Sequence, residues 1–151
     1  TNYSWMAIPS IRLVVFLGLC LGYVALSALK PVTAAETITQ TFANADRYVG
    51  EIQNGQFHGQ GAYFFSNGNE YEGAFHDGRY HGQGVFKFAS GERYEGEFRD
   101  GKFHGYGVYT WAGGLRFEGT WQNNQKWTGT VYSQWGTVAG HYTEGKWESA
   151  L

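Results

Sequence analysis

From Tyr48 to Arg116 the chain repeats itself three times with a period of 23 residues, and any fold must accommodate that unit three times over. Residues 48–70 read YVGEIQNGQFHGQGAYFFSNGNE, 71–93 read YEGAFHDGRYHGQGVFKFASGER, and 94–116 read YEGEFRDGKFHGYGVYTWAGGLR. A fourth, degenerate unit covers 117–137, with Trp127 where the others carry His. Residues 138–147 restore a terminal half unit, and Phe42, Asp46 and Arg47 resemble the tail of a partial unit before the first. Atypical end units suit a stacked array, whose end faces must meet water.

Each unit reads as a β-hairpin. Asn54-Gly55, Asp77-Gly78 and Asp100-Gly101 are two-residue turn signals, because both positions need φ > 0. Folding about Asp100-Gly101 sets Phe98 opposite Phe103, Glu97 opposite His104, Gly96 opposite Gly105 and Tyr94 opposite Gly107. One face of every hairpin then carries aromatic rings and glycine, the other Glu, His, Gln and Val. Corners at Gly68, Gly91 and Gly114 link successive hairpins and keep Phe86, Phe88 and Tyr94 on one face. The turns centre on Gly55, Gly78 and Gly101. Of the 23 glycines, 21 lie from Gly50 onward, alongside most of the 11 Tyr, 11 Phe and 6 Trp. Glycine weakens strands, but a ring lying across it covers the bare backbone. The asparagine and threonines at Asn124, Thr128 and Thr130, with Trp127, make the fourth unit read as a cap.

The motif Y-E-G-x-F-x-D-G-x-x-H-G-x-G-V-[FY], at Tyr71–Phe86 and Tyr94–Tyr109, resembles the MORN (membrane occupation and recognition nexus) repeat. The likeness extends over about 48–147. It implies an all-β fold, a single-layer antiparallel meander of stacked hairpins, used in that family for protein scaffolding and, more contentiously, for lipid contact. It carries no catalytic activity over to these residues.

Ahead of the repeats, Leu13 to Leu29 (LVVFLGLCLGYVALSAL) holds no charge. Seventeen helical residues reach ~26 Å, and Arg12 and Lys30 bracket the run where they could snorkel to the two interfaces of a bilayer. The segment reads as one N-terminal transmembrane helix or signal-anchor within residues 1–35, giving a single-pass membrane protein with the repeat domain, 36–151, on the non-cytoplasmic side. The rival is a cleaved secretory signal, for which Val32-Thr33-Ala34 supplies small residues; the apolar run exceeds the usual length of a signal core. Cys20 lies inside it and rules out an intrachain disulfide framework.

No catalytic constellation, cofactor site or metal site is expected. His58, His81 and His104 recur once per repeat, so a straight stack spaces them roughly 9–10 Å apart, too far to share one ion. Each reads as a structural pair with the residue across its hairpin. The Glu72, Glu95 and Glu118 ladder reads as a solvated face. A net charge of −2 gives no reason to expect nucleic acid. The repeat region carries its basic residues interleaved with acids, which disfavours binding to anionic lipid headgroups. A single-layer sheet leaves one broad face uncovered, so an aromatic strip is expected to bind a protein partner. Its candidates are Tyr48, Tyr63, Tyr71, Phe86, Tyr94, Tyr109, Phe117 and Tyr132, with Trp111, Trp121 and Trp127. The expected role is that of a membrane-anchored scaffold, an accessory or assembly subunit of a larger membrane complex; the alternative is a secreted or peripheral lipid-headgroup-binding module.

Overall fold

A computed structural model describes residues 36–150. The segment Leu13–Leu29 lies outside them; among the described residues there is no helix long and apolar enough to cross a membrane. Eleven strands form one antiparallel sheet in chain order: β1 (Glu36–Thr41), β2 (Arg47–Gln53), β3 (Gln56–Phe64), β4 (Glu70–His76), β5 (Arg79–Lys87), β6 (Arg93–Arg99), β7 (Lys102–Thr110), β8 (Arg116–Gln122), β9 (Gln125–Tyr132), β10 (Val138–Thr143) and β11 (Lys146–Ser149). Each strand pairs only with its sequence neighbours, so the meander stays open.

Two kinds of connection alternate. Tight turns run through pairs of left-handed residues: Asn54-Gly55 (φ 52° and 75°), Asp77-Gly78 (47° and 76°) and Asp100-Gly101 (49° and 81°). The wider corners are closed by two hydrogen bonds, as where Phe65 N–H donates to Asn69 O at 2.9 Å and Gly68 N–H to Phe65 O at 3.0 Å. Gly91 and Gly114 occupy the same position at φ 93° and 84°, and at the first corner Ala45 takes it at φ 67°.

The fourth unit is not the cap. Asn123 and Asn124 both enter the left-handed region, which asparagine tolerates, and the sheet continues through β9 to β11. The hairpin register also departs from the simple fold-over. Phe98 faces Phe103 and Glu97 faces His104, but Gly96 faces Gly107 and Tyr94 faces Tyr109. Gly105 and Tyr106 are left over as a two-residue bulge, with Gly105 at φ 56°. The Glu97 carboxylate accepts the freed Tyr106 N–H at 3.3 Å, as Glu51 accepts that of Gln60 at 3.0 Å. A two-residue bulge preserves the alternation of faces, so the aromatic face survives the shift.

In the fourth unit the bulge shrinks to one residue, Trp127, and the register slips. Phe117 therefore faces Val131, and Tyr132 faces Arg116. Tyr132 is thus not equivalent to Tyr63, Phe86 and Tyr109: it lies under the Arg116 guanidinium at 4.8 Å, as Phe64 lies under Arg47 at 4.3 Å.

Candidate functional site

The core is a row of rings seated on pairs of glycines. Tyr48, Tyr71, Tyr94 and Phe117 are at most 1% exposed. They lie over the cross-strand pairs Gly50–Gly61, Gly73–Gly84, Gly96–Gly107 and Gly119–Gly129. Tyr71 stacks on Tyr80 at 3.8 Å within its own unit and meets Phe98 of the next unit edge-on at 5.0 Å. Tyr48 repeats the arrangement with Phe57 and Phe75, and Tyr94 with Phe103 and Trp121. The tyrosine hydroxyls donate to the carbonyls of Glu51, Ala74 and Glu97 at 2.6, 2.7 and 2.8 Å. Burial pushes the Tyr48 phenol up to about 12, and the Tyr71 and Tyr94 phenols higher still.

This placement corrects the expected contact strip. Tyr48, Tyr71, Tyr94 and Phe117 are core and cannot touch a partner. Trp121 is buried with them, its indole N–H donating to Gly107 O at 3.2 Å. Trp127 sits half-buried in its bulge, apart from the rings packed on the core. Tyr63, Phe86, Tyr109 and Trp111 remain half-open against the core.

Between these half-open rings lie two cavities related by one repeat. The first, about 360 Å³, is lined by Phe57, Tyr63, Phe65, Phe75, Gly78 and Tyr80. The second, about 270 Å³, is lined by Tyr80, Phe86, Phe88, Phe98, Gly101 and Phe103. Apart from Arg79, which borders the first cavity only, every lining position advances by 23 residues, and Tyr80 and Gly101 border both, so the cavities form one groove along the stack. Sequence reasoning singled out Tyr63 and Phe86 but not Phe65, Phe88 or Tyr80. Their recurrence at fixed repeat positions was the available signal.

The lining changes at the fourth unit. Lys126 stands where the earlier units hold Phe57, Tyr80 and Phe103. Its Nζ lies 4.8 Å from the Trp111 ring, 5.2 Å from Trp121, 5.5 Å from Tyr109 and 5.9 Å from Tyr142. Burial among these rings lowers the Lys126 pKa, opposed by the charge of Glu92. Three other basic side chains pair with acids: Lys87 with Glu70 at 3.3 Å, Arg93 with Glu95 and Arg116 with Glu118.

The profile of the MORN repeat matches residues 48–70, 71–93, 94–116 and 117–127. The chain is a member of the MORN-repeat family. A search of curated proteins finds no match. MORN repeats are non-catalytic hairpin modules used for contact with proteins and membranes, and the described residues of this one form no organised catalytic site. Its large aromatic face is consistent with an interaction surface.

Proposed function

We propose that this MORN-repeat sheet is a docking module whose aromatic groove takes an extended, apolar segment of a partner protein. One observation carries the reading: two equivalent apolar cavities recur at the repeat spacing. Two strands per repeat set that spacing at roughly 9.4–9.8 Å. A polyproline II segment returns to the same side every third residue, after ~9.3 Å. A β-strand places same-face side chains only ~6.7 Å apart. The groove therefore suits a polyproline II-like segment with bulky apolar side chains at i and i+3, a recognition mode that aromatic-lined grooves use.

Anisotropy titration of the full chain with a labelled Pro-rich peptide, leucine at i and i+3, tests this. Saturable binding is expected, weakened by Phe88→Ser and by moving the second leucine to i+2. No binding up to roughly 1 mM, or indifference to both changes, overturns it.

The uncharged run Leu13–Leu29 between Arg12 and Lys30 supports a further part of the proposal, that the module is tethered to a membrane as an accessory or assembly subunit. Alkaline carbonate extraction of membranes tests the tether: the full chain stays in the pellet if it spans, and release to the supernatant contradicts it.

A second reading, peripheral contact with a lipid surface, has its own observation. Leu115 and Trp135 are 42% and 82% exposed at successive corners of one sheet edge, and tryptophan favours the bilayer interface. Under this reading a Trp135→Ser, Leu115→Ser chain loses vesicle flotation that a Leu13–Leu29 deletion retains. Equal flotation before and after the double substitution rules it out.

A further inference from the structure

At the hairpin tips, the turn of each hairpin reaches back to the previous one. Gly78 N–H donates to Phe57 O, Gly101 N–H to Tyr80 O and Asn124 N–H to Phe103 O, at 2.9, 2.9 and 3.0 Å. These bonds set the turn acid of one unit beside the repeated histidine of the unit before: His58 Nδ1 lies 4.0 Å from Asp77, and His81 Nδ1 lies 4.0 Å from Asp100. His76, whose ring lies 5.6 Å from that of His81, completes a three-donor group within 4.8 Å only at the first of these junctions among the described residues. His76, the last residue of β4, occupies a position held by Gln53, Arg99 and Gln122 in the other units. Its Nδ1 lies 3.6 Å from Asp77 and its ring 5.1 Å from that of His58.

We propose that His58, His76 and Asp77 bind one divalent transition-metal ion of the zinc class, clipping the first full hairpin to the second. One ligand atom from each residue lies within 4.8 Å of the other two. Ligands held at 2.0–2.2 Å on one tetrahedral zinc stand roughly 3.4 Å apart, so the His76–Asp77 contact at 3.6 Å is already near the required separation. The His58–Asp77 and His58–His76 pairs must close further, and His76 and Asp77 are exposed enough to rotate. Two imidazoles with one carboxylate are a usual zinc ligand set, with water in the fourth position. The repeated histidines cannot meet one another, and His76 is what converts a ladder position into a site. The exposed Arg79, opposite His76 across the hairpin, is the nearby cation, and solvent screens it.

The test uses substitutions that the repeat itself supplies. His76→Gln installs the residue of units one and four, and Asp77→Asn that of the turns at Asn54 and Asn123, so neither should disturb the fold. Metal-stripped full chain is titrated with zinc against a chromophoric chelator. One zinc per chain is expected. Each substitution should weaken binding by more than the 10–100-fold that outer-shell partners cost. Asp100→Asn, at the equivalent pair lacking a third donor, should leave it unchanged. No zinc uptake by the wild-type chain overturns the proposal, as does uptake that survives both His76→Gln and Asp77→Asn.

Discussion

The hydroxyl oxygen of Tyr71 lies 2.6 Å from where a Cβ on Gly84 would stand, with ring carbons at 2.8 Å. The glycine is there because the ring is, and the same pairing recurs at Tyr48 over Gly61. Gly84→Ala must therefore displace a buried ring that is itself stacked on Tyr80 and wedged against Phe98. The expected loss is about 3 kcal/mol, the upper end for overpacking. Gly78→Ala meets open space but a φ of 76°, so it should lose only about 1–2 kcal/mol of left-handed strain. Urea denaturation of both variants checks the order.

Lys126 holds a cation among four rings, where earlier units hold a ring of their own. Burial favours its neutral form, so the cost of keeping it charged is present below its lowered pKa. That cost disappears as pH rises past the unfolded value of 10.5. Lys126→Met should be neutral or stabilising by about 1 kcal/mol near pH 7, the lost cation–π attraction partly offsetting the gain. The difference between the two proteins should close toward pH 10.5, as paired thermal melts would report.

The tyrosines predict a sharp alkaline limit. In the unfolded chain they ionise near 10, whereas burial holds Tyr48, Tyr63 and Tyr109 to about 12 and Tyr71, Tyr80 and Tyr94 higher. Their contribution is intact below pH 10 and is lost as pH rises toward the folded values. The loss is at most about 1.4 kcal/mol per pH unit for each fully buried phenol. Phenolate absorbance should rise together with loss of the sheet's circular dichroism above pH 10. Ionisation of the buried phenols in a sheet that stays folded contradicts this.

How much of this was legible in the sequence follows from what a repeat encodes. The Asn-Gly and Asp-Gly turns and the ring–glycine face depend on local residue chemistry, and both could be read directly. The bulge at Gly105-Tyr106 could not, because a two-residue slip leaves the alternation of faces unchanged. The fall to a one-residue bulge at Trp127 does reverse faces, which is why Tyr132 left the strip. Counting rings also overstated the docking face, since Tyr48, Tyr71, Tyr94 and Phe117 are spent on covering glycine. The groove emerges only once those rings are subtracted. His76 escaped notice because it belongs to no ladder.

Asp46 ties the first, partial unit to the next corner. Its carboxylate accepts from Ser66 N–H at 2.7 Å, Tyr63 O–H at 2.8 Å and Asn44 Nδ2 at 2.9 Å. The Ser66 and Tyr63 bonds lead in lowering its pKa below 3.8. The tie should hold above pH 3.8 and be lost as pH falls through the lowered value. Asp46→Ala should loosen β1 and β2 while sparing β5 to β8, which amide hydrogen exchange resolves strand by strand.

The central claim is that the rings left over from the core form one docking groove. Amide chemical-shift mapping of the full chain with the i, i+3 leucine peptide tests it most directly. Shifts should be confined to Phe65, Gly78, Tyr80, Phe88 and Gly101, fading before Lys126. Shifts centred on the His58–Glu72 face, or on the corners at Leu115 and Trp135, would contradict it.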